Sequence, residues 1–429
     1  MNTIDYLKEG FLLVLSLLIF NGLLAQEEKD RPRILISSDI GGTDPDDFQS
    51  MIHLLMYADL FELEGLISSP FGKGRADDFL HIIDLYETDY SKLIKHSKDF
   101  PKPEELRKIT KQGAFNSAPF IGYSMATEGS DWIIQETIKK SDRPLWVLVW
   151  GGLEDLAQAL HDKPEIKDHI KVYWIGGPNK KWSINAYSYI AEYHPDLWII
   201  EANATYRGWF IDEGSPEDIS SKNFYPNYIQ GGGAMGKNFE NHYDGEIKMG
   251  DTPSLAYVMN GNPNNPIGES WGGSFQKINR SSRTVFYGGS TSADTVAAYA
   301  TIEWRFEGPK LEIAGDSVVF EIEIQNQTWP GYYLGDGVYG VKYSSKKPEV
   351  GTYKTSSEIV ELDGLEGKYV SIIPWPGKPA ATDYLLGENW YSDRQEPELY
   401  LQDQQGAKTV SKYRNEFLKD WAKRWEWLK

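Results

Sequence analysis

Arg33-Ile-Leu-Ile-Ser-Ser38, followed at once by Asp39-Ile-Gly-Gly-Thr-Asp44-Pro-Asp46-Asp47, is the stretch whose reading decides the fold. The first six residues read as a buried strand, and the next nine as a turn rich in Gly and Asp. Phe48, Met51, Ile52 and Leu55 then recur at helical spacing. Four carboxylates in nine residues, between a first strand and a first helix, repel one another. A helix N-terminus offsets only about 0.3–1 kcal/mol for each. A hard cation with several oxygen ligands removes the conflict, and calcium accepts carboxylates and carbonyls in flexible geometry. The simpler alternative, that Asp44 and Asp46 only cap the helix, accounts for one aspartate but poorly for four.

Outward from this turn, strand and helix alternate as far as about residue 210. Residues 61–69 form a second apolar run, and Phe79, Ile82, Ile83 and Tyr86 mark the next helix. Residues 145–150 (LWVLVW), 172–175 and 197–200 are further short apolar runs bounded by Gly or Pro. This alternation predicts an α/β fold with a mainly parallel sheet and helices on both faces. Its ligand site lies beyond the carboxyl ends of the strands. Near residue 297 the texture changes to short alternating β-rich runs, predicting a small antiparallel β-sandwich module over 297–402. Val410, Tyr413, Phe417, Trp421, Trp425 and Leu428 then fall on one helical face. A terminal helix so apolar must dock on the α/β core, which makes the β module an insertion. The domains expected are thus 26–296, 297–402 and 403–429, preceded by a leader.

That leader is residues 1–25. Lys8 precedes an apolar run from Phe11 to Leu24, short for a bilayer span, with Ala25 as the small residue before cleavage. The pattern predicts a secreted or periplasmic protein with no membrane span. The chain has no cysteine, so it contains no disulfide framework, which suits a bacterial exported protein. A formal charge of −19 argues against a nucleic-acid polymer or an anionic lipid surface as partner. The seven histidines show no zinc-ligand spacing.

Several segments together resemble the nucleoside-hydrolase-like family of exported bacterial proteins often labelled cellulose-binding. They are 39–50 (DIGGTDPDDFQS), 66–74 (LISSPFGKG), 150–156 (WGGLEDL), 175–187 (IGGPNKKWSINAY), 250–254 (GDTPS), 270–273 (SWGG) and the closing 406–425. The resemblance implies a Ca2+ site held by Asp39, Asp46, Asp47 and Asp251. The turn Gly152-Leu153-Glu154 lends it a carbonyl, and Asn185 hydrogen-bonds a sugar. Asp46, Asn179, Lys181, Trp182 and Arg207 are further expected substrate contacts. The reaction implied is hydrolysis of an N- or O-glycosidic bond by metal-oriented water, with Asp44 or Asp39 as general base. The alternative is a polysaccharide-binding protein that has kept the scaffold and lost turnover. The partner is in either case a sugar-containing molecule, and the resemblance also implies a homo-oligomer. Two departures bear on the choice: the family's aspartate two residues after the first is Gly41 here, and its sugar-binding glutamate is Ser183.

Overall fold

The computed structural model describes residues 31–70 and 75–429. The expected leader lies outside them, as do residues 71–74 of one family motif. Strand β1 (Arg33–Ser38) is the third strand of an eight-stranded sheet of order β3-β2-β1-β4-β5-β6-β18-β7. The others are β2 (Glu62–Ser68), β3 (Thr110–Gln112), β4 (Leu145–Val149), β5 (Ile170–Ile175), β6 (Ile199–Ala202), β7 (Phe275–Lys277) and β18 (Trp390–Asp393). All neighbours run parallel except β18 and β7.

Both faces of this sheet are covered at its centre, so β1, β4 and β6 are buried along their whole length where a half-exposed strand would alternate. The alternation survives as a choice of core. Leu35, Leu145, Val147, Val149 and Trp174 join one hydrophobic cluster, while Ile34, Ile36, Trp146, Leu148 and Tyr173 join the other. The helices that matter below are α1 (Asp46–Met56), α2 (Ala76–Leu93), α3 (Glu154–Asp162), α4 (Gly177–Trp182), α5 (Ile184–Tyr193), α6 (Thr252–Met259) and α7 (Arg414–Trp425). Among the described residues no helix is long and apolar enough to cross a membrane.

After β7 the chain leaves this sheet, and it returns only at Trp390. In between it forms β8 (Arg280–Ser281), paired with β17 (Tyr384–Leu385), and a second eight-stranded sheet of order β10-β16-β15-β12-β13-β14-β11-β9. That sheet comprises β9 (Arg283–Tyr287), β10 (Thr295–Ala297), β11 (Thr301–Glu307), β12 (Val318–Ile324), β13 (Gln327–Gly335), β14 (Val338–Tyr343), β15 (Glu349–Ser356) and β16 (Glu366–Ile372). It is antiparallel apart from the β10–β16 and β11–β9 pairs. The sequence boundaries at 297 and 402 therefore differ from the strand assignments: Arg283–Tyr287 already belongs to the second sheet, and Trp390–Asp393 belongs to the first. Both are short runs whose sheet is chosen by distant partners, which local periodicity does not report.

The second sheet shares a hydrophobic cluster with the first, Trp304, Phe320 and Tyr369 lying in the same cluster as Leu35 and Val147. Trp182 stacks on Trp329 with centroids 5.2 Å apart, and the Lys342 ammonium donates to the Phe120 carbonyl at 2.8 Å. Helix α7 docks on the opposite cluster. Trp421 is fully buried, its ring centroid 5.2 Å from Phe224 and 5.2 Å from His53. Truncating a buried aromatic of this size removes its transfer energy and leaves a cavity, about 3–5 kcal/mol together. Trp421→Ala is expected to lower the stability of the α/β unit by that amount in denaturant titration. A change below about 1 kcal/mol would contradict the docking.

Candidate functional site

The carboxylates of the first turn collect at the carboxyl edge of the parallel sheet. Asp39 leaves the end of β1, Asp46 and Asp47 open α1, and Asp251 immediately precedes α6. Carboxylate oxygens of Asp46, Asp47 and Asp251 all lie within 4.8 Å of one another, and all three residues are buried. Ser38 Oγ donates to Asp47, and the backbone N–H of Gly250 donates to Asp46 Oδ2 at 3.0 Å. Asp251 is 4% exposed, and its Oδ2 is buried with no hydrogen-bond partner. An ionised oxygen in that state is costly unless a cation meets it. A Cβ at position 250 would lie 2.3 Å from Asp46 Oδ2, so a larger residue there would have to displace that carboxylate.

The electrostatics follow from burial and crowding. Burial, then the charge of Asp46, pushes the Asp39 carboxyl up to about 8. Burial, then Asp44, pushes Asp46 up to about 7. Asp47 and Asp251 are raised well above the usual carboxylate range, first by burial and then by their acidic neighbours. The three buried carboxylates of Asp46, Asp47 and Asp251 resist ionisation together, with Asp39 beside them but outside the close trio, and as oxygen ligands they fit a hard divalent cation of the calcium type.

The other expected residues are placed differently from one another. Glu154, at the first turn of α3, accepts from Ser183 Oγ at 2.9 Å, and burial raises its carboxyl to about 8. It stands beside the cluster and contributes to raising Asp39, but it is outside the close trio. Asn185 on α5 donates to the Ala118 carbonyl at 3.0 Å, and Ala118 N–H points to Glu154 at 3.4 Å. The Asn185 Oδ1 is buried without a partner, as is Arg207 Nε.

Asn179 donates to the carbonyls of Trp150 and Ile175, at 3.2 and 2.9 Å. It thereby braces the ends of β4 and β5. Lys181 and Trp182 differ from the expectation. The Lys181 ammonium meets Gln327 and lies 4.9 Å from the Trp329 ring, so both side chains are engaged at the junction with β13. Their apolar bodies are worth more packed there than at a polar rim. Asp44 is exposed, its two oxygens held by Tyr243 and Lys248.

Position 41 is a glycine at φ +82°, and the carboxylate of Asp78 on α2 occupies its flank. A Cβ at residue 41 would lie 2.1 Å from Asp78 Oδ2. Asp78, Lys248, Tyr243, Ser38 and Gln49 are the residues that sequence reasoning missed. Ser38 adjoins the acidic loop, and Gln49 is a polar residue one turn after Asp46 on a buried helix. Those were readable signals, whereas the others arrive from distant segments.

The family model described as "Cellulose-binding Sde182, nucleoside hydrolase-like domain" matches residues 33–275, and a domain of unknown function, DUF5060, matches 295–358. Among solved structures, a nucleoside hydrolase-related hypothetical protein from Saccharophagus degradans, associated with carbohydrate metabolism, is 19% identical. It covers 80% of this chain and 100% of its own, with a TM-score of 0.47. The inosine-uridine preferring nucleoside hydrolase from Bacillus anthracis is 15% identical over 80% of this chain and 95% of its own, with a TM-score of 0.38. The purine-preferring ribonucleoside hydrolase from Gardnerella vaginalis is 17% identical over 58% and 84%, with a TM-score of 0.36. No curated protein matches. With its family model running from the first residue of β1 to the first of β7, the chain belongs to the Sde182-type, nucleoside hydrolase-like family.

Proposed function

We propose that this chain is an exported, calcium-dependent hydrolase of a glycosidic bond in a sugar-containing substrate. The observation that carries the proposal is the buried Asp46–Asp47–Asp251 trio with its unpartnered Asp251 oxygen. In this reading Asp39, Asp46, Asp47 and Asp251 hold the ion. Bound calcium supplies orientation of sugar hydroxyls and of water, whose pKa it lowers.

Asp39 takes the proton of the attacking water, because both oxygens of Asp44 are engaged by Tyr243 and Lys248. Buried at the strand end, it is screened from bulk solvent, which suits a general base. Asn185 offers its free Oδ1 to a substrate hydroxyl, and the frame Ser183–Glu154–Ala118 holds α5 in place to present it. Turnover is tested on a panel of glycosides and nucleosides with calcium, reading release of reducing sugar, aglycone or base. The expected outcome is release by the wild type and a loss of about 10²–10⁴-fold in kcat for Asp39→Asn. No release from any member overturns the hydrolase reading.

The second reading, sugar binding without turnover, is favoured by two observations. Ser183, where the family's glutamate is expected, spends its hydroxyl on Glu154 and on the Leu153 N–H. Gly41 carries no carboxylate of its own.

The metal also has a signature in stability. Asp39 and Asp46 have folded-state values of about 8 and about 7, raised from 3.8, so the folded chain binds more protons than the unfolded one across that interval. Their contribution therefore weakens as pH rises and is lowest above about 8. In chelator the melting temperature is expected to fall from pH 5 to pH 8, and added calcium to restore it most strongly at pH 8. A melting temperature indifferent to calcium at pH 8 contradicts the metal centre.

A further inference from the structure

Residues 242–250 cross the acidic cluster as a strap, and one side chain fastens them. Gln49, fully buried on α1 a turn after Asp46, donates through Nε2 to the carbonyls of His242 at 3.1 Å and Glu246 at 2.9 Å. Its Oε1 accepts the backbone N–H of Lys248 at 2.9 Å and of Met249 at 3.3 Å. Four backbone groups of the strap thus end on a single amide. The strap holds a conformation that L-residues avoid, with φ of 54° at Tyr243, 52° at Asp244 and 46° at Met249. Such residues persist only where surrounding contacts over-determine them.

The consequence is where Lys248 is held. Its ammonium pairs with Asp44, stands 4.0 Å from Asp46 Oδ1, and lies 3.2 Å from the Tyr243 hydroxyl. Asp46 belongs to the buried trio whose geometry fits a divalent cation, together with Asp47 and with Asp251 and its unpartnered oxygen. A fixed positive charge at that range opposes a second cation on the same oxygens.

We propose that Lys248 is a built-in counter-cation of the metal centre, positioned by Gln49, which competes with the divalent ion for the aspartates and so sets its affinity. The proposal rests on the reading of the cluster as a metal centre and is independent of whether the site turns over. It makes Lys248 and Gln49 positioning residues and no part of the ligand shell.

The test is isothermal titration of the full chain with calcium alone. Lys248→Gln is expected to bind calcium about ten-fold more tightly than wild type at unchanged stoichiometry. The gap should narrow in half-molar salt, where exposed charges are screened. Lys248→Arg, which keeps the charge, is expected to stay within about two-fold of wild type. Gln49→Leu, which unfastens the strap, should shift affinity in the same direction as Lys248→Gln; if it fails to fold, the two Lys248 variants decide. Equal or weaker calcium binding by Lys248→Gln overturns the proposal while leaving the metal centre standing. No calcium binding by wild type overturns both.

Discussion

Buried like charge is the constraint on which the rest of this structure depends. Asp39, Asp46, Asp47 and Asp251 are each less than a tenth exposed and converge from the β1–α1 turn and from the loop before α6, about two hundred residues further along the chain. Nothing in a hydrophobic collapse favours that arrangement; it costs stability unless a counter-charge is present. The parallel sheet opens the β1–α1 turn on its carboxyl edge, and the loop before α6 is tied to that turn through the Gly250 N–H on Asp46. Ser38, the Gly250 N–H and Lys248 offset part of the charge, and the Asp251 oxygen remains without a partner. The cluster is thus a site that the fold maintains at a cost in stability, which is the usual condition of a functional centre.

Much of this was legible in the chain, for identifiable physical reasons. The run from Arg33 to Asp47 carries a buried strand, a tight turn and a helix start within fifteen residues, so the α/β architecture and the acidic edge are local information. Asp251 was reached through the family motif Gly-Asp-Thr-Pro-Ser. What stayed hidden is non-local. Lys181 and Trp182 follow a glycine turn in a way that suits a ligand contact, but β13 is already there to cover them. Asp44, indistinguishable by sequence from its neighbours, is turned outward by Tyr243 and Lys248, two hundred residues downstream. Gly41 marks a missing carboxylate, and only the fold shows that the carboxylate of Asp78 fills the space beside it.

The inserted sheet is more than an appendage. Its core residues and those of one face of the parallel sheet form one cluster, and its last connection returns to supply β18 between β6 and β7. That return also delivers Asp393, which accepts the backbone N–H groups of Asn203, Ala204 and Thr205 and so orders the loop bearing Tyr206 and Arg207. Next to it, Lys180 and Glu201 form an ion pair at 2.8 Å with both side chains fully buried, and Tyr187 and Trp390 also donate to Glu201. Breaking such a pair leaves an uncompensated buried charge, so it fixes α4 and α5 against β6 and β18. The insertion therefore influences the shape of the carboxyl edge through loops, without lending it a ligand.

The central claim is that Asp46, Asp47 and Asp251 bind one divalent cation. The most direct measurement is the metal content of protein equilibrated with calcium and freed of excess, compared between wild type and Asp251→Ala by elemental mass spectrometry. One calcium per wild-type chain, lost in the variant while the fold is retained by circular dichroism, is the result this account predicts. A wild type without calcium, or a variant that retains it, would contradict it.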